Sequence, residues 1–266
     1  MKELKFNLRY ILQRKELYIF IIGILLFCVV DIWVTTDYYR SATFVLRTAE
    51  YQTVLYNEGV SLAAVIIIGF PILSSLLLAD STWVERKSGI SNLLQSRLSN
   101  KKNDWIRFIL SIVVVSLLCF IGFMLQYVAL RFIFGSGNQN PIWEAMPYYL
   151  LENSGWFLDH LRVVNPVLFV ICISAHVSLI IGLLAGIAYS LSFFTKQRLF
   201  IYFQIIILVI ASEFLLLLAH LGQYSIIKQL QPFGKFSFVQ SIIFYTVLLI
   251  FGVFFIWLSH RRKDSI

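Results

Sequence analysis

The sequence predicts an all-α integral membrane protein with six transmembrane helices. Three observations carry this expectation. The chain has 266 residues, of which 59% are hydrophobic and 14% charged, with a mean hydropathy of +0.81. That is far more apolar surface than one water-soluble core can hide. Six runs are long and apolar enough to cross about 30 Å of hydrocarbon. Lys and Arg crowd onto alternate connections between these runs.

The runs lie at about 17–34, 59–79, 108–130, 164–194, 199–219 and 238–258. Lipid offers no partner for backbone N–H and C=O groups, so each span must satisfy its own as a helix. The runs are too long and continuous for barrel strands. The first follows basic residues, as a signal peptide would, but has no small-residue cleavage site before Thr35. It is therefore expected to stay as the first span. Pro71 removes a backbone donor and should kink the second. The fourth is the longest and is expected either to tilt or to contain a non-spanning start after Pro166. With no repeat, linker or low-complexity tract, residues 1–266 are expected to form a single transmembrane domain.

Basic residues are concentrated at Lys2, Lys5, Arg9, Arg14 and Lys15, along Arg86–Arg107, at Lys196 and Arg198, and at Arg261, Arg262 and Lys263. The opposite connections are poor in Lys and Arg. The positive-inside rule then puts both termini in the cytosol of a multi-pass protein of the cytoplasmic (plasma) membrane. The formal net charge of +8 is thus a topology signal and points to membrane lipid, not to nucleic acid.

Residues 1–16 form a basic amphipathic segment. Leu4, Leu8, Ile11 and Leu12 fall on one helical face and Lys5 and Arg9 on another. An interfacial helix on the inner leaflet is expected, the alternative being a plain charged flank. Residues 221–236 carry Ile226, Ile227 and Leu230 together with the breakers Pro232 and Gly234, and can dip back into the membrane where protein covers them. Asp80–Arg107 is the longest cytosolic loop. Trp83, Ile90 and Leu94 recur near one face of a helix too short to span, and that face must dock on a partner groove or on the bundle itself.

The chain holds no GxxxxGK[ST] phosphate loop, GxSxG or HExxH. Its four His are scattered, and Cys28, Cys119 and Cys172 all fall in apolar runs. No catalytic, metal or cofactor site is expected, and the cysteines read as small buried hydrophobes. Asp31 is expected at the outer interface. Glu213 sits inside the fifth run and His176 inside the fourth. A carboxylate at mid-bilayer costs on the order of 2.5–3.5 kcal/mol, so Glu213 should face the bundle interior, about one helical turn from His176. The pair can be read as a polar relay, a proton site or a neutral hydrogen-bonded core. Ser174, Ser178, Gly182, Gly186 and Ser190 make a ridge of small residues, read as intramolecular packing or a subunit interface.

Glu85-Arg86, Gly89, Leu93-Leu94, Ser99 and Arg107 resemble the cytosolic loop of permease subunits of the type-2, export-type ABC transporter family. The likeness extends to the layout: a basic N-terminal helix, six spans, this loop after the second, and a re-entrant segment before the sixth. The chain departs from the family at Ile90, often Thr; near Arg97, where Pro is frequent; and at Arg107, often Lys. The resemblance implies that 83–96 includes a coupling helix docking on a separate ATPase subunit, with Glu85, Arg86 and Gly89 as signature positions. Trp83, Ile90, Leu93 and Leu94 would complete the contact. It also implies a second permease in a homodimer or heterodimer, and ATP and Mg on the partner ATPase, this chain not being an enzyme itself. A peptide, drug or lipid is the expected cargo. The rival expectations are an ion-coupled transporter using Glu213 and His176, and a non-transporting membrane scaffold.

Overall fold

The computed structural model describes residues 2–40, 49–52, 68–89, 100–134, 158–230 and 237–264. These residues are helical, with no strand among them. In chain order the helices are α1 (Lys2–Leu12), α2 (Lys15–Arg40), α3 (Ala49–Gln52), α4 (Phe70–Leu76), α5 (Ser81–Lys87), α6 (Asn100–Phe134), α7 (Asp159–Val164), α8 (Pro166–Leu191), α9 (Arg198–Leu218), α10 (Ile226–Leu230) and α11 (Phe238–Asp264). Among the described residues, five helices (α2, α6, α8, α9 and α11) are long and apolar enough to cross a membrane. The chain is a multi-pass α-helical protein by this measure.

The apolar runs locate the helices but not their ends. The first run continues as helix to Arg40, and the last reaches Asp264. The third begins at Asn100, well before the apolar residues start at Phe108. No Gly or Pro lies between Asn100 and Phe108 to stop the helix, so Asn103, Asp104 and Arg107 become part of its first turns. Of the second run, residues 59–67 lie outside the described residues. The rest passes through a wider i→i+5 turn at Ile68 and Gly69 into α4, with Pro71 near its start where no donor is needed.

The fourth run divides. Leu158 takes a left-handed conformation (φ 57°) before α7, and the backbone breaks at Asn165. The Asn165 side chain then accepts a hydrogen bond from the Leu168 N–H at 3.1 Å, with Pro166 next to it. An Asn cap followed by Pro is a strong helix start. So 164–194 is not one long tilted span. It is the end of a short helix followed by a 26-residue helix, which at about 1.5 Å per residue suffices to cross.

Helix α8 is the centre of the bundle. Of its most apolar stretch 67% is buried by the rest of the chain, against 22% for α9. It packs chiefly on α6, then on α11 and α4. The small residues make this approach possible. A Cβ on Gly182 would fall 2.6 Å from the Ile112 carbonyl oxygen of α6, and one on Gly186 would fall 2.7 Å from Ile112 Cγ1. Gly252 of α11 is equally close to Phe108, 2.8 Å from its ring. Ser174, Ser178 and Ser190 are also buried. The glycines of the predicted ridge therefore close an internal seam between α8 and α6. Cys28 and Cys119 are buried as small hydrophobes, and Cys172 is half-buried.

Replacing Gly182 with Val should lower thermal stability by about 1–3 kcal/mol, because backbone must move. Gly222→Ala should change it little, since its Cβ would meet only the mobile tip of Lys228 at 3.5 Å. Thermal unfolding in detergent measures both, and equal midpoints would refute the seam.

Candidate functional site

Seven segments converge at one end of the bundle: α1, the α1–α2 corner, the turn after α4, α5, the start of α6, the α8–α9 connection and the end of α11. The Arg107 side chain lies at the centre and is 1% exposed. Its guanidinium donates twice to the Glu85 carboxylate of α5, Nη1 to Oε2 at 2.8 Å and Nη2 to Oε1 at 2.7 Å. Its Nε donates to Asn7 Oδ1 of α1 at 2.8 Å. The Asn7 amide continues to Asn103 Oδ1 at 2.7 Å and to the Glu3 carbonyl at 2.9 Å. Tyr10 places its ring 5.3 Å from the guanidinium. One side chain thus joins α1, α5 and α6. A planar fork meeting a carboxylate in this way fixes direction as well as distance, which Lys cannot do.

A second cluster lies beside it. The Asp80 carboxylate is fully buried. It accepts from Arg14 Nη2, from Arg198 Nε at 3.1 Å and Nη2 at 2.9 Å, and from the Tyr202 hydroxyl at 2.9 Å. Glu16 completes it, accepting from Arg14 at 3.2 Å and Arg198 at 3.3 Å. Burial works against the Arg14 charge, but Glu16 and Asp80 outweigh it and hold its pKa above the ordinary arginine value. Burial pushes the neighbouring Tyr10 phenol up.

Helix α5 is fastened along its length. Thr82 shares a hydrogen bond with Ser192 at 3.0 Å, and the Trp83 indole N–H donates to the Lys196 carbonyl at 2.8 Å. Lys87 lies 5.0 Å and Arg198 5.9 Å from the Trp83 ring. Gly89 ends the segment at φ 72°, a conformation that costs an L side chain about 1–2 kcal/mol. Elsewhere at this end His260 meets Asp104 at 3.1 Å, and Lys102 meets Glu3 at 3.2 Å.

The expected coupling residues therefore divide. Trp83, Glu85 and Gly89 lie in or just after α5, and Arg86 is part of that helix. Ile90, Leu93 and Leu94 lie outside the described residues. Comparison decides nothing further. No family model, curated protein or solved structure matches this chain.

Glu213 and His176 lie away from this junction, and both hold one short segment. Ser225 donates to Glu213 Oε2. Four residues on, the Gln229 carbonyl meets His176 Nε2 at 2.8 Å, while His176 Nδ1 meets the Tyr245 hydroxyl. The two residues are thus linked through the segment that carries α10. Gln229 is buried, and its side-chain amide has no hydrogen-bond partner among the described residues. Pro232 and Gly234 lie outside the described residues.

One expectation needs correcting. Asp31 is not at an open interface; it is fully buried between α2 and α6, where the Gln126 amide donates to it. The apolar face of α1 is turned mostly away from the bundle. Of Leu4, Leu8, Ile11 and Leu12, only Ile11 is buried. The face against the bundle is Asn7, Ile11 and Arg14, spaced as one helical stripe. Asn7, Arg14, Asp80, Asn103, Arg198 and His260 were not singled out as site residues. A signal existed for two of them: Asn7 and Arg14 recur with Ile11 at helical spacing.

Arg107→Met should destabilise the chain by about 3–5 kcal/mol, because it leaves the Glu85 carboxylate and Asn7 without their donor. Adding Glu85→Leu should recover part of that loss. A double-mutant cycle on thermal unfolding tests this, and strictly additive effects would show that the pair is not coupled.

Proposed function

We propose that this chain is the permease subunit of an ATP-binding cassette exporter in the cytoplasmic membrane. The run at 59–79 is the second of six spans, both termini face the cytosol, and the basic end described above is the cytosolic end. Helix α5 begins the coupling helix of 83–96, which docks on a separate ATPase subunit carrying ATP and Mg. Two six-span permeases, identical or related, enclose the pathway for a hydrophobic or amphipathic cargo such as a peptide, drug or lipid.

The observation that carries this reading is the Glu85–Arg107–Asn7 junction. A short helix that only filled a loop would need no buried two-pronged ion pair. Here a push on α5 is delivered through Arg107 to the first turns of α6, and through Asn7 to α1. Asp80 carries the same displacement to α9 through Arg198 and Tyr202. The left-handed Gly89 lets the chain turn where the described part of the loop ends.

Co-expression with candidate ABC ATPases tests the assignment. An ATPase should co-purify, and vesicles holding the pair should move cargo only with ATP. Glu85→Ala and Gly89→Pro should each reduce that flux at least tenfold, a loss of about 1.4 kcal/mol in coupling. Transport that survives both variants, or the absence of any co-purifying ATPase, would refute it.

Glu213 separates this reading from an ion-coupled transporter. Gln at position 213 still offers Ser225 an acceptor, so ATP-driven flux should persist in Glu213→Gln. Flux that needs no ATP and collapses both in that variant and with the proton gradient would favour ion coupling instead.

A further inference from the structure

The face of α1 turned away from the bundle is built for a lipid surface. Leu4, Leu8 and Leu12 are 50%, 43% and 56% exposed. At four-residue spacing they form one stripe, each about 40° from the next. Lys5 and Arg9 are exposed and lie roughly 60–100° around the helix from Leu8. On the other side of the stripe is the bundle face of Asn7, Ile11 and Arg14. Going around the helix, protein contact gives way to exposed leucine, and leucine to exposed base. Glu3, the only acid of α1, is drawn toward Lys102.

The position of α1 fits the same partner. Its C-terminal carbonyl at Leu12 accepts from the Tyr18 hydroxyl at 3.4 Å. Tyr18 opens the exposed face of α2, where Ile19, Ile22 and Leu26 follow. The leucine stripe of α1 is thus continuous with the apolar surface of a helix long enough to span. An apolar stripe bordered by bases, beginning where a span begins, suits an anionic phospholipid leaflet. Lys and Arg there reach the headgroups while their stems lie along the acyl boundary.

We propose that α1 docks on the anionic inner leaflet and transmits that contact to α5 through Asn7 and Arg107. Lipid fixes the outer face of α1, and its inner face holds the Arg107 guanidinium, which holds Glu85. The leaflet therefore sets how firmly α5 is positioned. The assignment to the inner leaflet rests on the topology proposed above; the lipid contact and the relay to α5 do not.

The test uses the full chain, without any ATPase, in vesicles of phosphatidylcholine alone and of equal parts phosphatidylcholine and phosphatidylglycerol. Amide hydrogen exchange over Lys2–Leu12 should slow several-fold in the anionic vesicles, and high salt should reverse this. Each of Lys5→Gln and Arg9→Gln should weaken the effect roughly fivefold; both side chains are exposed, so folding is not at risk. Exchange over Ser81–Lys87 should slow in step with α1 in the wild type and lose that dependence in Asn7→Ala.

Equal protection of α1 in both vesicles would show a purely apolar contact and overturn the proposal. So would protection that appears only after an ATPase subunit is added, which would make the occupant a protein. A lipid response in α1 that never reaches Ser81–Lys87 would overturn the relay. A response in both segments, with no ATPase ever co-purifying, would leave this inference standing and sink the exporter reading alone.

Discussion

A guanidinium stays charged at any pH a protein survives. When one is taken out of water it dictates what surrounds it, because a buried charge without a partner is among the most costly features a fold can carry. Arg107 is such a group, and the end of the bundle is organised around it. Its two terminal nitrogens require a carboxylate, supplied by α5, and its Nε requires a neutral acceptor, supplied by α1. Asn7 is then committed, and it draws in Asn103 and the Glu3 carbonyl. The Asp80 cluster obeys the same rule with the signs reversed: one buried carboxylate gathers two arginines and a tyrosine.

The interior of the bundle depends on a different condition, that α6 and α8 approach closely. Lipid gives helices no hydrophobic reason to associate, so they pack where small residues allow backbones to meet. Gly182 and Gly186 provide that on α8, and Gly252 provides it for α11 against Phe108. The close seam holds the start of α6 in place. Arg107 sits at that start, so the small residues mid-helix and the charges at its end are parts of one arrangement.

The sequence showed the long helices because apolar run length is a local property. Helix ends were less legible. The polar residues of Asn100–Arg107 carry no breaker, and only tertiary contacts explain why they continue α6. Glu85 and Arg107 were each singled out in the sequence, and both lie at this junction. What could not be read was pairing. Glu85 and Arg107 are 22 residues apart, Asp80 and Arg14 are 66, and Asp80 and Arg198 are 118. Nothing in composition or spacing brings such residues together. Asp31 was misplaced for the same reason: its partner Gln126 is 95 residues away. The bundle-facing side of α1 was not legible either, because it carries Asn7 and Arg14 beside one apolar residue, Ile11.

The order in which these partners occur along the chain has a consequence for assembly at the ribosome. Domains and segments form from the N-terminus as synthesis proceeds. Asn7 and Glu85 both precede Arg107, so the guanidinium is synthesised after its acceptors. Arg14 and Asp80 likewise precede Arg198. The bond between Asp104 and His260 is different: it spans 156 residues and forms only when α11 arrives. Most of this end can therefore be set while translation continues, and the final helix latches onto a framework that is already in place.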